Sequence, residues 1–422
     1  MKEIVVYDPY AEFKEYRLPN GLTLYHTFWN RPWIAAEFIV YAGAKDDPPG
    51  KEGVSHFLEH MVSENAESAN YDEMKKFFEG TGGHVSFGRT SFIATNYDFF
   101  IPNKDYVMAR AFNLFKEMLL RNKLEKFLER ERSIILREWQ SKYHFYEEYQ
   151  WDLEVAQALF PSHPFGRFTS VLGSPESIKE ISETEIINYY GKYYTPANIS
   201  MVIGGGVQID RLMQILEETG WTTVLVDGVR NPKQTPLAEA PQPLSRGKHI
   251  KLGEHTSMKT DATRYSQAWS LPGTFNPGQL NLYRQILRDL LISEIRTKSG
   301  LTYNVSVGWR SAEDLYEFFI ASNITPGKVG EVDEIVERCI KDLPKDLTNF
   351  EYNKNLILEG FKLIDHSGMG MVRHVTSNLI SERVIVTVQF MLDKYGVITI
   401  DDMQRLSDLL SFDRSYSLII NP

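Results

Sequence analysis

The sequence predicts an α+β protein made of two related domains, and three observations carry that expectation. Strand-like and amphipathic helical patterns are mixed along the 422 residues. Short strand motifs recur at one spacing. Val85-Ser86-Phe87-Gly88 returns as Val305-Ser306-Val307-Gly308, and Tyr97-Asp98-Phe99-Phe100-Ile101 returns as Tyr316-Glu317-Phe318-Phe319-Ile320, 220 and 219 residues later. Between the copies lies a stretch carrying Pro232, Pro236, Pro241 and Pro243, which reads as a linker. The expected partition is an N-terminal domain over 1–228, a linker over 229–248 and a C-terminal domain over 249–422.

Each element rests on its own pattern. Residues 18–28 read as a strand carrying an Asn20-Gly21 turn, and residues 33–44 as a second strand interrupted by Glu37. Residues 46–53 are rich in Pro, Gly and Asp and form a loop. Apolar residues then fall at 54, 57, 58 and 61, the spacing of a helix. Residues 71–80 form another short helix, stopped by Gly80 and Gly82-Gly83. Residues 84–101 are β-branched, aromatic and alternating, which predicts one or two strands. The pattern over 106–149 is helical and highly charged. Residues 207–225 read as a helix and a short strand.

Composition narrows the function. Hydrophobic residues make up 42% and charged residues 24%, enough apolar mass for sizeable cores; this excludes a disordered, collagenous or coiled-coil chain. The single cysteine, Cys339, forbids an intrachain disulfide and a cysteine-rich zinc fold, so any metal site must use His, Asp and Glu. Forty-six basic against 56 acidic residues give a net charge of -10, which argues against a nucleic-acid binder. The opening residues lack the apolar core of a signal peptide, and no run approaches the roughly 20 apolar residues of a membrane span. The expectation is a soluble cytoplasmic protein.

The informative element is His56-Phe57-Leu58-Glu59-His60. Positions four apart on a helix leave the same face one turn apart, so both imidazoles can reach one zinc ion. Glu59 lies about 100° back from His60 around the axis. It can stand beside the metal without ligating it, where a carboxylate can take a proton from an activated water and return it to a leaving amine. Two surface histidines and a glutamate would give the same letters. The apolar Phe57, Leu58 and Met61 bury this helix, however, where unpaired His and Glu would be costly.

A catalytic zinc wants a third protein ligand and an open position. Residues 124–143 offer Glu125, Glu129, Glu131 and Glu138. Glu131 and Glu138 are seven apart and share a helix face, so one could ligate while the other supports a ligand. All four could equally be a solvated face paired with Arg130, Arg132 and Arg137.

The order HxxEH reverses HExxH and is the inverzincin motif. With the following Glu-Arg-Glu-Arg segment at 129–132 and Glu138, the chain resembles the M16 metallopeptidases, which include pitrilysin, insulin-degrading enzyme and the mitochondrial processing peptidase. The likeness extends over nearly the whole chain, from residues 18–25 through 163–182 and 193–207 to 294–308. It implies His56, His60 and Glu138 as ligands of one zinc ion (Zn2+) per chain, Glu59 as general base and Glu131 as support for a ligand. It implies Arg296 and Tyr303 as substrate-binding residues near the scissile bond. Without it, that pair reads as an ordinary helix-to-strand turn.

The resemblance further implies two α+β domains per short chain, meeting across a clamshell chamber. Longer family members fuse two such halves, so a chain of this length is expected to dimerise. Because it carries both the zinc motif and the Arg/Tyr pair, a homodimer is expected. One departure concerns the strand that faces substrate, where Ser86-Phe87 stand in place of the family's usual Asn-Ala. Serine cannot supply a carboxamide's hydrogen bonds and phenylalanine narrows the cleft, so substrate preference should differ. His84 beside them is expected to be structural or exposed. The expected activity is hydrolysis of peptides or small unfolded proteins, with no nucleic-acid or membrane partner. The alternatives are a non-catalytic partner or scaffold subunit, or a dedicated maturation protease for one ribosomal peptide.

Overall fold

Two sheets of matching topology organise the chain. The computed structural model describes residues 8–64, 66–124, 126–143, 146–161, 163–224, 253–254, 261–312, 315–362 and 368–422. In the first half these form β1 (Lys14–Arg17), β2 (Thr23–Phe28), β3 (Trp33–Val40), α1 (Val54–Glu64), α2 (Tyr71–Gly80), β4 (His84–Thr90), β5 (Thr95–Pro102), α3 (Asp105–Leu120), α4 (Leu128–Lys142), α5 (Tyr146–Leu159), α6 (Pro175–Glu180), α7 (Glu183–Tyr193), β6 (Ile199–Gly205) and α8 (Ile209–Glu218). The second half forms β7 (Gly253–Glu254), β8 (Thr263–Pro272), α9 (Pro277–Leu291), β9 (Thr302–Ser311), β10 (Leu315–Ile324), α10 (Val329–Asp342), α11 (Leu347–Lys362), α12 (Gly368–Glu382), α13 (Val388–Gly396), α14 (Ile400–Leu409) and β11 (Tyr416–Asn421).

The first sheet runs β1-β2-β6-β3-β5-β4 and the second β7-β11-β8-β10-β9. The last five strands of the first match the second in order and polarity. β2 and β6 are parallel, as are β7 and β11, and the remaining pairs are antiparallel. The sequence echoes fall on equivalent strands: β4 and β9 at one edge, β5 and β10 beside them. The duplicated α+β architecture is therefore present.

One face of each sheet packs the main aromatic-rich helical core. In the first, Phe38 of β3 and Phe99 of β5 meet Phe112 and Phe115 of α3, with ring centroids 4.9 to 6.3 Å apart, and Trp221 stacks on Phe38 at 5.5 Å. In the second, Trp269, Tyr283, Phe318 and Leu406 share one buried cluster.

The compact units differ from the expected partition in two segments. One unit comprises Met1–Tyr149, Phe168–Lys233 and Asp365–Thr387; the other comprises Gln150–Arg167, Gln234–Ile364 and Val388–Pro422. The helix α12, from the second half of the sequence, packs on β3 and β6 of the first sheet. Its Arg373 reaches Asp98 of β5 at 3.3 Å. Conversely, Trp151 of α5 packs on Leu418 and Ile420 of β11, and Tyr416 donates to Glu154 at 2.7 Å. The reason is that a sheet has two faces. β3 is buried along nearly its whole length, Glu37 included, so its second face needs a cover that its own pattern does not name.

The expected linker lies outside the described residues. The helical pattern over 106–149 breaks into three helices, with Leu124 and Phe127 in left-handed conformations between α3 and α4. Residues 219–224 form turns rather than a strand. The apolar run there serves Trp221, which is buried and donates to the Phe112 carbonyl at 2.9 Å.

Candidate metal centre

The zinc-motif helix starts at a buried anchor. Both carboxylate oxygens of Asp47 accept hydrogen bonds from the start of α1, from Gly53 N at 2.7 Å and Ser55 N at 3.0 Å. A carboxylate suits the positive end of a helix. Burial nevertheless pushes the Asp47 carboxyl up to about 8. From this anchor α1 packs against β4, α4 and α7.

Along α1, His56 and His60 stand one turn apart with ring centroids 4.8 Å from each other. Glu138 arrives from α4. Its Oε2 lies 3.8 Å from His56 Nε2 and 3.7 Å from His60 Nε2. All three donor atoms lie within 4.8 Å of one another. Bonds of about 2.0–2.2 Å to a tetrahedral zinc put neighbouring donors about 3.3–3.6 Å apart, so side-chain shifts of about an ångström bring this set into coordination. The donor types and their convergence fit zinc. Of the other candidate glutamates, Glu129 is exposed and pairs with Arg132, and Glu125 lies outside the described residues.

The histidines differ in their second nitrogen. His60 Nδ1 faces Glu131 Oε2 at 3.2 Å, which leaves Nε2 to the metal side. Glu131 is buried, and its other oxygen accepts from Arg130 Nε at 2.9 Å; Arg130 also reaches Glu64 at 2.6 Å. Burial works to raise the Glu131 carboxyl, but His60 and Arg130 outweigh it and hold it below its ordinary value. Burial likewise works to lower His60, and the surrounding carboxylates outweigh that and raise it. His56 has no such partner among the described residues, and its Nδ1 is buried. Burial, then His60 and Lys142, lower it to about 3, so it is a neutral imidazole at neutral pH.

Glu59 turns from the histidines toward β4. Thr90 Oγ1 donates to Glu59 Oε2 at 2.6 Å. Gly88, at φ +152°, makes room for the carboxylate, since a Cβ there would lie 2.2 Å from Glu59 Cγ and 2.6 Å from Oε1. Burial raises the Glu59 carboxyl above its ordinary value. The pairing of β4 with β5 shifts between Ser86 and Arg89, so Phe87 and Gly88 bulge opposite Tyr97. Ser86 sits opposite Asp98 in the ladder and shares its face. Arg89 reaches Glu37 at 2.7 Å and Asp98 at 3.4 Å on that face, away from Glu59. Phe87 packs on Tyr71 of α2, centroids 4.5 Å apart. The edge-strand residues that meet Glu59 of the zinc motif are therefore Gly88 and Thr90. A glycine inside a strand pattern was the available signal for the bulge; nothing local marked Thr90. His84 is exposed on β4.

In the second unit, Arg296 lies in a π-helical turn, Ile292–Lys298, that leads toward β9. Its guanidinium stacks over the Tyr303 ring, 4.9 Å from the centroid, and Tyr303 is 83% exposed. The two residues are brought to each other and presented to solvent.

Comparison with known proteins gives the family of the chain. The family model Insulinase (Peptidase family M16) matches residues 32–158, and the model Peptidase M16 inactive domain matches residues 180–356. The β subunit of the mitochondrial-processing peptidase of Neurospora crassa is 29% identical over 205 residues, 48% of this chain and 41% of that protein. An uncharacterized zinc protease of Mycobacterium leprae is 22% identical over 320 residues, 73% of this chain and 68% of that one. In fold, a protease from Helicobacter pylori superposes with a TM-score of 0.81 at 17% identity, covering 99% of this chain and all of its own. The chain belongs to the M16 peptidase family, with the family's N-terminal and C-terminal domains in tandem.

Proposed function

We propose that this chain is a zinc-dependent endopeptidase acting on peptides or small unfolded proteins. The observation that carries the reading is the convergence of His56 Nε2, His60 Nε2 and Glu138 Oε2, with Glu59 on the same helix and Glu131 behind His60. Zinc held by those three residues would activate a water and polarise the scissile carbonyl. Glu59 takes a proton from the attacking water and returns it to the leaving amine. The upward shift of its pKa suits a base working near neutral pH. β4 is an edge strand, so an extended substrate can add to it through main-chain hydrogen bonds. Arg296 and Tyr303 supply donors for the substrate or its developing oxyanion.

Cytoplasmic residence and a homodimer belong to the same proposal. The single cysteine suits a reducing compartment. No described helix is long and apolar enough to cross a membrane. Both the zinc motif and the Arg/Tyr pair are present in one chain, so two copies would be self-sufficient. The test is cleavage of an internally quenched peptide by purified protein, with chelation and zinc re-addition. Cleavage that chelator abolishes and zinc restores is expected. A fully zinc-loaded protein that cleaves no peptide would favour a non-catalytic partner subunit. Activity confined to a single ribosomal peptide would favour a maturation protease. Sedimentation at micromolar concentration reads the dimer, and a monomer overturns it.

A further inference from the structure

We propose that the pocket beside Tyr303 is a subsite for a substrate carboxylate, either an acidic side chain or the C-terminal carboxylate of a peptide. The proposal rests on the reading of Tyr303 as a substrate-contacting residue. The pairing of β9 with β10 shifts between Ser322 and Ile324, which leaves Tyr303 and Asn304 bulged opposite Asn323. Thr302 Oγ1 hydrogen-bonds the Asn323 carbonyl at 2.7 Å, and Ser322 Oγ donates to the Asn304 carbonyl at 2.7 Å, so the bulge is held in one shape. Next to it opens a cavity of about 270 Å³ lined by Arg264, Tyr303, Asn304, Ser306, Ala321, Ser322 and Asn323.

Arg264, Tyr303, Asn304, Ser306 and Asn323 carry side-chain donors, the Ser322 hydroxyl is already given to the Asn304 carbonyl, and no residue of the lining is acidic. Arg264 of β8 supplies the charge, and its planar guanidinium suits two-pronged binding of a carboxylate. Arg296, which does not line the cavity, stacks on Tyr303 and brings a second positive charge to that residue. Asp152 of α5 stands 3.6 Å from the Arg264 guanidinium and offsets part of its charge. The volume suits one residue of an extended chain rather than a larger ligand. In a protein of net charge -10, this is a local site of opposite sign.

The test uses three quenched peptides that differ only in carboxylates: an internal Glu with an amidated end, Gln at that position with a free C-terminus, and Gln with an amidated end. For the wild type, kcat/KM should be about ten-fold or more higher for one carboxylate peptide than for the neutral one, as a hydrogen-bonded charge pair allows. The favoured peptide identifies which carboxylate enters. Arg264→Gln should abolish the preference, Arg264→Glu should reverse it, and Asp152→Asn should increase it. The opposite sign of the Asp152 variant keeps the test decisive if an Arg264 variant folds poorly. Fluorescence anisotropy of the same peptides, labelled, is read in parallel. Binding that depends on the carboxylate but is never followed by cleavage would sink the peptidase reading and leave the subsite standing. Cleavage of all three peptides at equal kcat/KM would overturn the subsite alone. Neither binding nor cleavage would overturn both.

Discussion

Thr90 Oγ1 donates a 2.6 Å hydrogen bond to Glu59 Oε2, and so ties the edge strand of the first sheet to the carboxylate of the zinc motif. The bond fixes one oxygen of Glu59, and on the proposed mechanism the other takes the proton. Thr90→Val keeps the shape and removes the donor. Loss of a hydrogen bond to a charged group is worth about 1.5–3 kcal/mol, so kcat should fall about 10- to 100-fold. Zinc content, read by elemental analysis, should not change, because Thr90 touches no ligand. Thr90→Ser should recover most of the activity. Equal kcat in Thr90→Val and wild type would show that Glu59 is positioned without it.

Gly88 makes a stronger steric demand on the same carboxylate. An alanine methyl would sit 2.2 Å from Glu59 Cγ, at a backbone angle of +152° that side chains rarely adopt. Either Glu59 or β4 must move. Gly88→Ala is expected to lower kcat by more than Thr90→Val does. It should also cost about 1–3 kcal/mol of stability in denaturant titration. A variant with wild-type kcat and midpoint would mean that the strand gives way freely.

Glu131 and Glu138 of α4 should separate cleanly. Glu138 points a carboxylate oxygen at both histidines, whereas Glu131 reaches only the far nitrogen of His60. Glu138→Gln removes a metal bond, while Glu131→Gln weakens affinity by about 10- to 100-fold through the support of His60. Zinc remaining after dialysis should therefore be lowest in Glu138→Gln. Full occupancy in that variant would remove Glu138 from the ligand set.

The sequence made His56, Glu59 and His60 legible because a helix repeats locally and four residues return to one face. Glu138 was one of several equivalent glutamates by spacing alone, and only the family resemblance singled it out. Ser86 and Phe87 are neighbours in sequence, but the register shift of β4 puts Ser86 on the face of Asp98 and leaves Phe87 in the bulge. A bulge is set by pairing with another strand, which no local pattern records. The same applies to Glu37. As one polar residue in an apolar strand it marks an interruption, but it is buried opposite Asp98, where Arg89 of β4 pairs with Glu37 and Arg373 of α12 pairs with Asp98. Those arginines lie 52 and 275 residues from the carboxylates they meet.

Zinc binding should strengthen as pH rises through the neutral range. In the metal-free chain the carboxylates around His60, Glu131 foremost, raise its pKa above the ordinary histidine value, so a proton competes with zinc for that site. His56, lowered to about 3, carries no competing proton there. Loading one zinc near pH 7 should therefore release up to one proton from the pair, and that release should vanish well above the His60 pKa. Competition with a chromophoric chelator between pH 6 and 8.5, corrected for the chelator's own protonation, reads the slope. Glu131→Gln removes the main support for the His60 proton, so the rise should move to lower pH even as absolute affinity drops. An affinity independent of pH over this range, or a midpoint that stays put in Glu131→Gln, would mean that Glu131 does not govern the protonation of His60.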